Sequence, residues 1–235
     1  MEKQEVRARI EEIGIVPAIR VASSEEARFA AAAVSAGGIP IVEITMTVPE
    51  ACELIQDMVT NVRDIIVGAG TVLDAETARR CLDAGAHFLT SPGLDLSIVE
   101  LTSRANIVTM PGALTPSEVT AACRAGVDFI KVFPVAQVGG ASYIRALKGP
   151  FPNASFVAAG GVTQQSASEL IRAGATARGW QASRNKAAQR INSEREATRT
   201  PRPKDEPAHN LPQSELTAPG NVYHGSANWR QGLFL

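Results

Sequence analysis

Lys131 stands in a short apolar run, residues 127–133, that has the pattern of a buried strand. Charged side chains are almost never fully buried unless they are paired or have a chemical role. Burial disfavours the ammonium form and so favours the neutral amine, which attacks carbonyl carbon to form a Schiff base. The position therefore predicts a nucleophilic lysine. The alternative is a strand-end lysine whose amine extends to water.

Two further polar residues come near the ends of apolar runs and could share a site with Lys131. Successive side chains of a strand point to opposite faces, so Glu43 is placed on one face of its run. By the same alternation Thr71 shares the face of Val67 and Ala69. An amine, a carboxylate and a hydroxyl in one pocket suffice for Schiff-base cleavage of a carbon–carbon bond. The alternative for Glu43 is an ion pair with Lys131 that has no catalytic role.

An internal repeat indicates how the chain positions these residues. Ala-Gly pairs recur at 36–37, 84–85, 125–126 and 173–174, at intervals of 48, 41 and 48 residues. Each pair follows an alanine-rich helical pattern, and glycine suits the left-handed position just past a helix. The helical patterns include residues 24–36, 74–84, 116–125 and 164–173. Apolar runs that predict strands lie at 15–20, 39–45, 65–69, 86–90, 107–110, 127–133 and 155–159.

Strands and helices that alternate in this way predict an α/β fold with a parallel sheet. Seven strands are visible and an eighth is due after Gly174, which predicts a (β/α)8 TIM barrel. An open doubly wound sheet is the alternative, although no GxGxxG motif opens a helix. The chemistry of such a barrel lies at the C-terminal ends of its strands, where Lys131 and Glu43 are placed.

The eighth unit is expected to be atypical or missing. Residues 178–235 contain six Ile, Leu or Val residues, five prolines and 14 charged residues. Such a segment buries too little apolar surface to offset the entropy of ordering it. We therefore predict a barrel over residues 1–177 and a divergent, disordered tail over 178–235. A shift of the reading frame near codon 178 and a natural polar tail both remain open as explanations.

Composition narrows the class of protein. The chain has 235 residues, is 45% hydrophobic and carries a net charge of −1, which gives no reason to expect a nucleic-acid or membrane partner. Its charged, helical beginning is not a signal peptide, and no run reaches transmembrane length. The cysteines Cys52, Cys81 and Cys123 are dispersed without metal-ligand spacing, so we expect small core thiols in a reducing cytoplasm.

Six segments together resemble the KDPG/KHG aldolases, the family of 2-keto-3-deoxy-6-phosphogluconate aldolase and 4-hydroxy-2-oxoglutarate aldolase. They are VEIT (42–45), VGAGTVL (67–73), SPG (91–93), PG (111–112), FIKVFP (129–134) and GGV (160–162). They come in family order and spacing within residues 5–177. Each segment alone is modest, but the set is specific.

The resemblance implies a class I aldolase that needs no metal or other cofactor. It implies that Lys131 forms the Schiff base and that Glu43 moves protons. Substrate contacts implied or proposed by the match are at Thr45, Thr71, Pro92, Gly93, Phe133, Gly160 and Gly161. For the Gly-Gly pair a simple turn is the alternative to phosphate binding. The family also implies a 2-keto acid substrate, a homotrimer, a cytoplasmic location and a role in Entner–Doudoroff carbohydrate breakdown.

Two departures from the family pattern affect the expected function. Many members have an arginine where this chain has Thr47, and we expect Arg20 at the end of the first strand to supply that cation. The alternative is an Arg20 that pairs with a surface acid. The altered eighth unit would leave the phosphate site incomplete and the barrel impaired. A phosphogalactonate-cleaving aldolase, another barrel lyase or isomerase, and an inactive barrel therefore remain open.

Overall fold

Eight strands alternate with eight helices in residues 1–182, the part of the chain that the computed structural model describes. The strands are β1 (Ile15–Ile19), β2 (Ile41–Thr45), β3 (Ile66–Gly70), β4 (Phe88–Thr90), β5 (Val108–Met110), β6 (Ile130–Val132), β7 (Phe156–Ala158) and β8 (Ala175–Ala182). The helices are α1 (Lys3–Ile13), α2 (Ser24–Ala36), α3 (Ala51–Asn61), α4 (Ala75–Asp83), α5 (Leu96–Arg104), α6 (Pro116–Arg124), α7 (Ala141–Lys148) and α8 (Gln164–Arg172). None of these helices combines the length and the apolar character needed to span a bilayer.

The strands form one parallel sheet in the order β5-β4-β3-β2-β1-β8-β7-β6. Its two ends meet through Lys131, whose backbone N–H donates to Pro111 O at 2.9 Å and whose carbonyl accepts from Ala113 N at 2.9 Å. The sheet therefore curves into a nearly closed barrel. The predicted (β/α)8 class is confirmed.

The eighth unit was expected to be atypical or missing; its strand is present, so the second of these alternatives is wrong for the strand. Ile15 pairs with Arg178 and Ile19 with Ala182, while Ala158 pairs with Arg178 on the other side of β8. Residues 175–182 contain no branched apolar run, but a strand held between two neighbours depends on backbone hydrogen bonds. Residues 178–182, assigned to the divergent tail, therefore lie in the barrel sheet. The predicted disorder of the remaining tail, 183–235, falls outside the described residues.

Side-chain caps define where five of the helices begin. The capping residues, each accepting a hydrogen bond from a backbone N–H of the first turn, are Ser23, Asp74, Asp95, Thr115 and Thr163. The predicted left-handed glycines follow α4, α6 and α8, with φ of 84° at Gly85, 70° at Gly126 and 104° at Gly174. The expectation was wrong for Gly37, which has φ −75°; Gly38, with φ 86°, takes the left-handed position.

The three cysteines lie on helices and are free, as expected, but only one is a core residue. Cys81 is buried, Cys52 is half-buried and Cys123 is exposed. The prediction of a core thiol is therefore wrong for Cys123. Cys123 lies near the end of α6, whose buried residues are Val119 and Ala122.

Apolar side chains fill the N-terminal half of the barrel interior. Helix α1 closes that end with Val6 and Ile10, which pack in one cluster with Ile41, Phe88 and Phe129. Because side chains of a strand return to the same face every second residue, the next interior positions lie nearer the C-terminal end. Two residues after these apolar side chains come polar ones: Glu43 follows Ile41, Thr90 follows Phe88, and Lys131 follows Phe129.

Candidate active site

Lys131 is the centre of the polar group in the barrel mouth. It lies on β6 two residues after the buried Phe129, and its side chain is 14% exposed. Its Nζ atom lies 3.7 Å from Glu43 Oε1 and donates a hydrogen bond of 3.3 Å to Thr90 Oγ1. Nζ also lies 5.8 Å from the centre of the Phe133 ring. The amine is therefore mostly shielded from water yet still faces the cavity.

The Glu43 side chain occupies the space beside Gly70 on β3, where any larger residue would place a side chain. The Glu43 side chain is 5% exposed. Thr45 pairs with Gly70 in the β2–β3 register, and a Cβ atom built on Gly70 would lie 1.9 Å from Glu43 Oε1. Gly70 has no left-handed backbone, so the requirement for glycine here is one of space. The sequence predicted Glu43 beside Lys131 but did not show that Gly70 makes the room.

Arg20 is bound to two threonines of the neighbouring strand ends. Its Nη1 donates to Thr47 Oγ1 at 3.1 Å and its Nη2 to Thr71 Oγ1 at 2.9 Å. Thr47 Oγ1 lies 2.8 Å from Thr45 Oγ1, which in turn donates to Ile19 O at 3.0 Å. The guanidinium is thus held over the mouth, at the place where the sequence proposed a cation. It does not pair with an acid within residues 1–182.

The hydrogen bond between Thr71 and Arg20 does not follow from the alternation of side chains along β3. Val67 and Ala69, with which it was grouped, pack in the cluster between the sheet and the helices. The prediction that strand alternation places Thr71 in the site was therefore wrong. Thr71 follows the end of β3 with φ 59°, a rare value for a β-branched residue, and this turn brings its hydroxyl to Arg20 Nη2. Unusual backbone at such a position is often associated with function.

The mouth of the barrel holds a cavity of about 210 Å³. Among the residues that line it are Arg20, Glu43, Thr90, Met110, Lys131, Phe133, Gly160, Gly161 and Trp180. Thr45 and Thr71 do not line it, although both connect to Arg20 through hydrogen bonds. The side chains that line the cavity therefore supply one amine, one carboxylate, one guanidinium, one hydroxyl and the indole of Trp180, and the others are apolar.

Gly160 and Gly161 border the cavity and are also fixed by packing. Their φ angles are 83° and 76°. A Cβ atom on Gly160 would lie 2.9 Å from the Phe133 ring, and one on Gly161 would lie 2.5 Å from Ala136 Cβ. Glycine is needed at both positions whether or not a ligand binds there.

Pro92 and Gly93 lie on an exposed loop and do not line the cavity. The Ser91 hydroxyl donates to Gly93 O at 2.7 Å. A Cβ atom on Gly112 would lie 2.0 Å from Pro92 O, so this loop packs tightly on the next one. The predicted substrate contacts at Pro92 and Gly93 therefore do not lie in the cavity lining.

Thr90 is a site residue that the sequence reasoning missed. It shares the interior face of β4 with Phe88, is 3% exposed and accepts the hydrogen bond from Lys131 Nζ. The alternation applied to Glu43 and Lys131 would have found it, because Thr90 is the last residue of an apolar strand.

No group of three or more His, Cys, Asp or Glu side chains within residues 1–182 is arranged to hold a metal ion. The polar groups of the cavity are instead suited to covalent chemistry at a carbonyl. The amine can add to the carbon, and the carboxylate can accept and return a proton.

Comparison with known proteins points to the same chemistry. The family model described as KDPG and KHG aldolase matches residues 6–194. The 2-dehydro-3-deoxy-phosphogluconate aldolase of Pseudoalteromonas atlantica is 34% identical over 149 residues, 63% of this chain and 69% of that protein. The KHG/KDPG aldolase of Escherichia coli K12 is 34% identical over 149 residues, 63% of this chain and 70% of the relative.

A solved structure is similar over most of the barrel. KDPG aldolase from Legionella pneumophila, with pyruvate captured as a covalent carbinolamine intermediate, superposes with a TM-score of 0.72. It is 27% identical, and the match covers 79% of this chain and 91% of that one.

Proposed function

Because the chain belongs to the KDPG and KHG aldolase family and is a lyase of the aldolase type, we propose that it cleaves a 2-keto acid through a Schiff base on Lys131. The substrates proposed are 2-keto-3-deoxy-6-phosphogluconate, 4-hydroxy-2-oxoglutarate or both. Pyruvate is one product, and glyceraldehyde 3-phosphate or glyoxylate is the other. The observation that carries the proposal is the shielded Lys131 amine, 3.7 Å from the buried carboxylate of Glu43.

The first step is addition of Lys131 Nζ to the C2 carbonyl of the substrate. The new N–C bond forms as the carbonyl π electrons move to oxygen, and loss of water from the carbinolamine leaves an iminium. A side chain that is 14% exposed keeps bulk water from competing at this carbon. The iminium is the electron sink for the next step, which is why no metal is required.

The second step breaks the C3–C4 bond, and Glu43 is the proposed base. A carboxylate at 3.7 Å from Nζ reaches the C4 hydroxyl of the attached substrate directly or through one water. As Glu43 removes the hydroxyl proton, the C3–C4 electrons move toward C2 and give an enamine, and the aldehyde leaves. Return of the proton to C3 and hydrolysis of the iminium release pyruvate and restore the amine.

Arg20 is the proposed partner of the substrate carboxylate, and Thr71, which does not line the cavity, holds the guanidinium in place. Its guanidinium lines the cavity and is held by neutral hydroxyls, so its charge is not neutralised by an acid within residues 1–182. A guanidinium binds a carboxylate with charge-assisted hydrogen bonds. The distal anion is proposed to bind at Gly160 and Gly161, which follow β7 and also line the cavity.

A second candidate is cleavage of 2-oxo-3-deoxy-6-phosphogalactonate. The observation in its favour is the place of the cation, on β1 at Arg20 and not at Thr47, because the resemblance associates an arginine at this place with phosphogalactonate-cleaving members. The two sugar acids differ in configuration at C4, one of the two carbons of the bond that breaks.

The test is pyruvate release from each of the three keto acids, followed with lactate dehydrogenase. Wild type is expected to cleave at least one of them, and Lys131→Met and Glu43→Gln are expected to lose about 10²-fold or more in kcat. Lys148→Met is the matched control for loss of a lysine, because Lys148 is half-buried at the end of α7 and does not line the cavity. A folded wild-type chain that cleaves none of the three would refute the proposal and support an impaired barrel.

Family membership also leads us to propose a homotrimer located in the cytoplasm. Light scattering on the full chain checks the assembly, for which the expected mass is three chains.

A further inference from the structure

We propose that Thr90 is a further catalytic residue, whose hydroxyl binds the oxygen that leaves C2 while it orients the Lys131 amine. The inference rests on the proposed Schiff-base function. It concerns a residue for which neither strand-end motifs nor the family resemblance gave a role.

The position of Thr90 places its hydroxyl against the nucleophilic atom. Thr90 is the last residue of β4, is 3% exposed, and its Oγ1 lies 3.3 Å from Lys131 Nζ. It lines the same cavity as Glu43. The contact is thus made inside the site, at the reacting nitrogen.

The hydroxyl of Thr90 differs from those of Thr45 and Thr102, two other buried threonines, because its proton is not already donated to a backbone carbonyl. Thr102 Oγ1 donates to Ile98 O and Val99 O, and Thr45 Oγ1 donates to Ile19 O. Thr90 Oγ1 accepts from Lys131 and makes no other hydrogen bond within residues 1–182. A hydroxyl has one donor and two acceptor positions, so its proton is available to a ligand in the cavity.

This arrangement matches what the carbinolamine requires. When Nζ adds to C2, the carbonyl oxygen gains charge and must then leave as water. The Thr90 O–H, already beside Nζ, can donate to that oxygen while Oγ1 still accepts an N–H of the amine. Thr90 keeps its own proton at the end of the step. The oxygen takes two protons to leave as water: one is transferred from Nζ, and the other is donated by Glu43, which has first removed it from Nζ.

Thr90 also keeps the amine from closing onto Glu43. The 3.7 Å separation from Glu43 Oε1 is too long for a good hydrogen bond, whereas the contact with Thr90 is within hydrogen-bond range. The charged groups that line the cavity with Lys131 are Glu43 and Arg20. A valine at position 90 would remove the competing acceptor and favour a tighter Lys131–Glu43 ion pair, in which the amine is a poorer nucleophile.

The experiment compares wild type with Thr90→Val and Thr90→Ser by borohydride trapping of pyruvate, with rates measured over a range of pyruvate concentrations and pH. Thr90→Val is expected to lower the maximal trapping rate about ten- to a hundredfold and to move its pH dependence to higher pH. The pyruvate concentration for half-maximal rate should change little. Thr90→Ser should restore most of the rate, because it restores the hydroxyl.

Thr102→Val is the matched control. It also removes a fully buried threonine hydroxyl, but from within helix α5, and should leave the trapping rate unchanged. A folded Thr90→Val variant that traps pyruvate at the wild-type rate would overturn the role of Thr90. Absence of trapping in wild type would instead refute the proposed function, so the two failures are distinguishable.

Discussion

Replacement of Gly70 by alanine tests whether the position of Glu43 matters to the chemistry. A Cβ atom at position 70 would lie 1.9 Å from Glu43 Oε1 and 2.4 Å from Glu43 Cδ, so the carboxylate cannot stay where it is. To reach an ordinary contact of about 3.4 Å, Oε1 must shift by roughly 1.5 Å. Misplacement of a reacting group by about 1 Å can cost 10²-fold in rate. We therefore expect kcat to fall by at least about 100-fold, which corresponds to ~2.7 kcal/mol.

The variant should still fold. Overpacking of a well-filled interior costs about 1–3 kcal/mol, and alanine is compatible with the backbone of Gly70 because its φ is not left-handed. Gly126→Ala is the control: it imposes a strain of about 1–2 kcal/mol at φ 70°, but a Cβ atom there meets nothing within 4 Å. Both variants should lose comparable stability, and only Gly70→Ala should lose activity.

The assay is pyruvate release at saturating substrate, with urea unfolding to measure the stability of each variant. A folded Gly70→Ala protein with the kcat of wild type would show that the position of Glu43 does not matter to the chemistry. An activity loss of the same size in Gly126→Ala would equally count against a role for that position.

Three further predictions concern other parts of the barrel. Arg20→Ala should raise KM for the keto acid about tenfold or more, with a smaller change in kcat, because the charged partner of the carboxylate is lost; an unchanged KM would contradict the role of Arg20. Burial lowers the pKa of His87, and the amino terminus adds to this effect. Below about pH 6.5 the unfolded chain therefore binds the proton more readily, so unfolding free energy should fall between pH 7 and 5, and less in His87→Gln. Burial raises the pKa of Cys81 to about 12, so iodoacetamide near pH 8 should modify the exposed Cys123 and reach Cys81 only after unfolding, as peptide masses would show.

Much of the fold was predictable because its signals are local. Helical patterns at 24–36 and 164–173 correspond to α2 (Ser24–Ala36) and α8 (Gln164–Arg172). Capping side chains and glycines after the helices mark these ends in the sequence itself. The eighth strand was not predictable in this way, since β8 is held by its pairing with β1 and β7, and pairing partners leave no local signal.

The residues of the site were likewise predictable only where the sequence itself carries a local signal. Lys131 and Glu43 were found because a charged residue in an apolar strand stands out, and the structure brings them to 3.7 Å. The link from Arg20 to Thr71 depends on a left-handed backbone at a threonine, which sequence alternation cannot indicate. Thr90 is polar but uncharged, so it did not stand out, although its place on the interior face of β4 was implied by Phe88.

The most direct test of the central claim is mass spectrometry of the full chain after borohydride reduction in the presence of pyruvate. We expect a pyruvate-sized adduct on the peptide that contains Lys131, and none on those that contain Lys3 or Lys148. A folded chain without an adduct, or with one that persists in Lys131→Met, would contradict the claim.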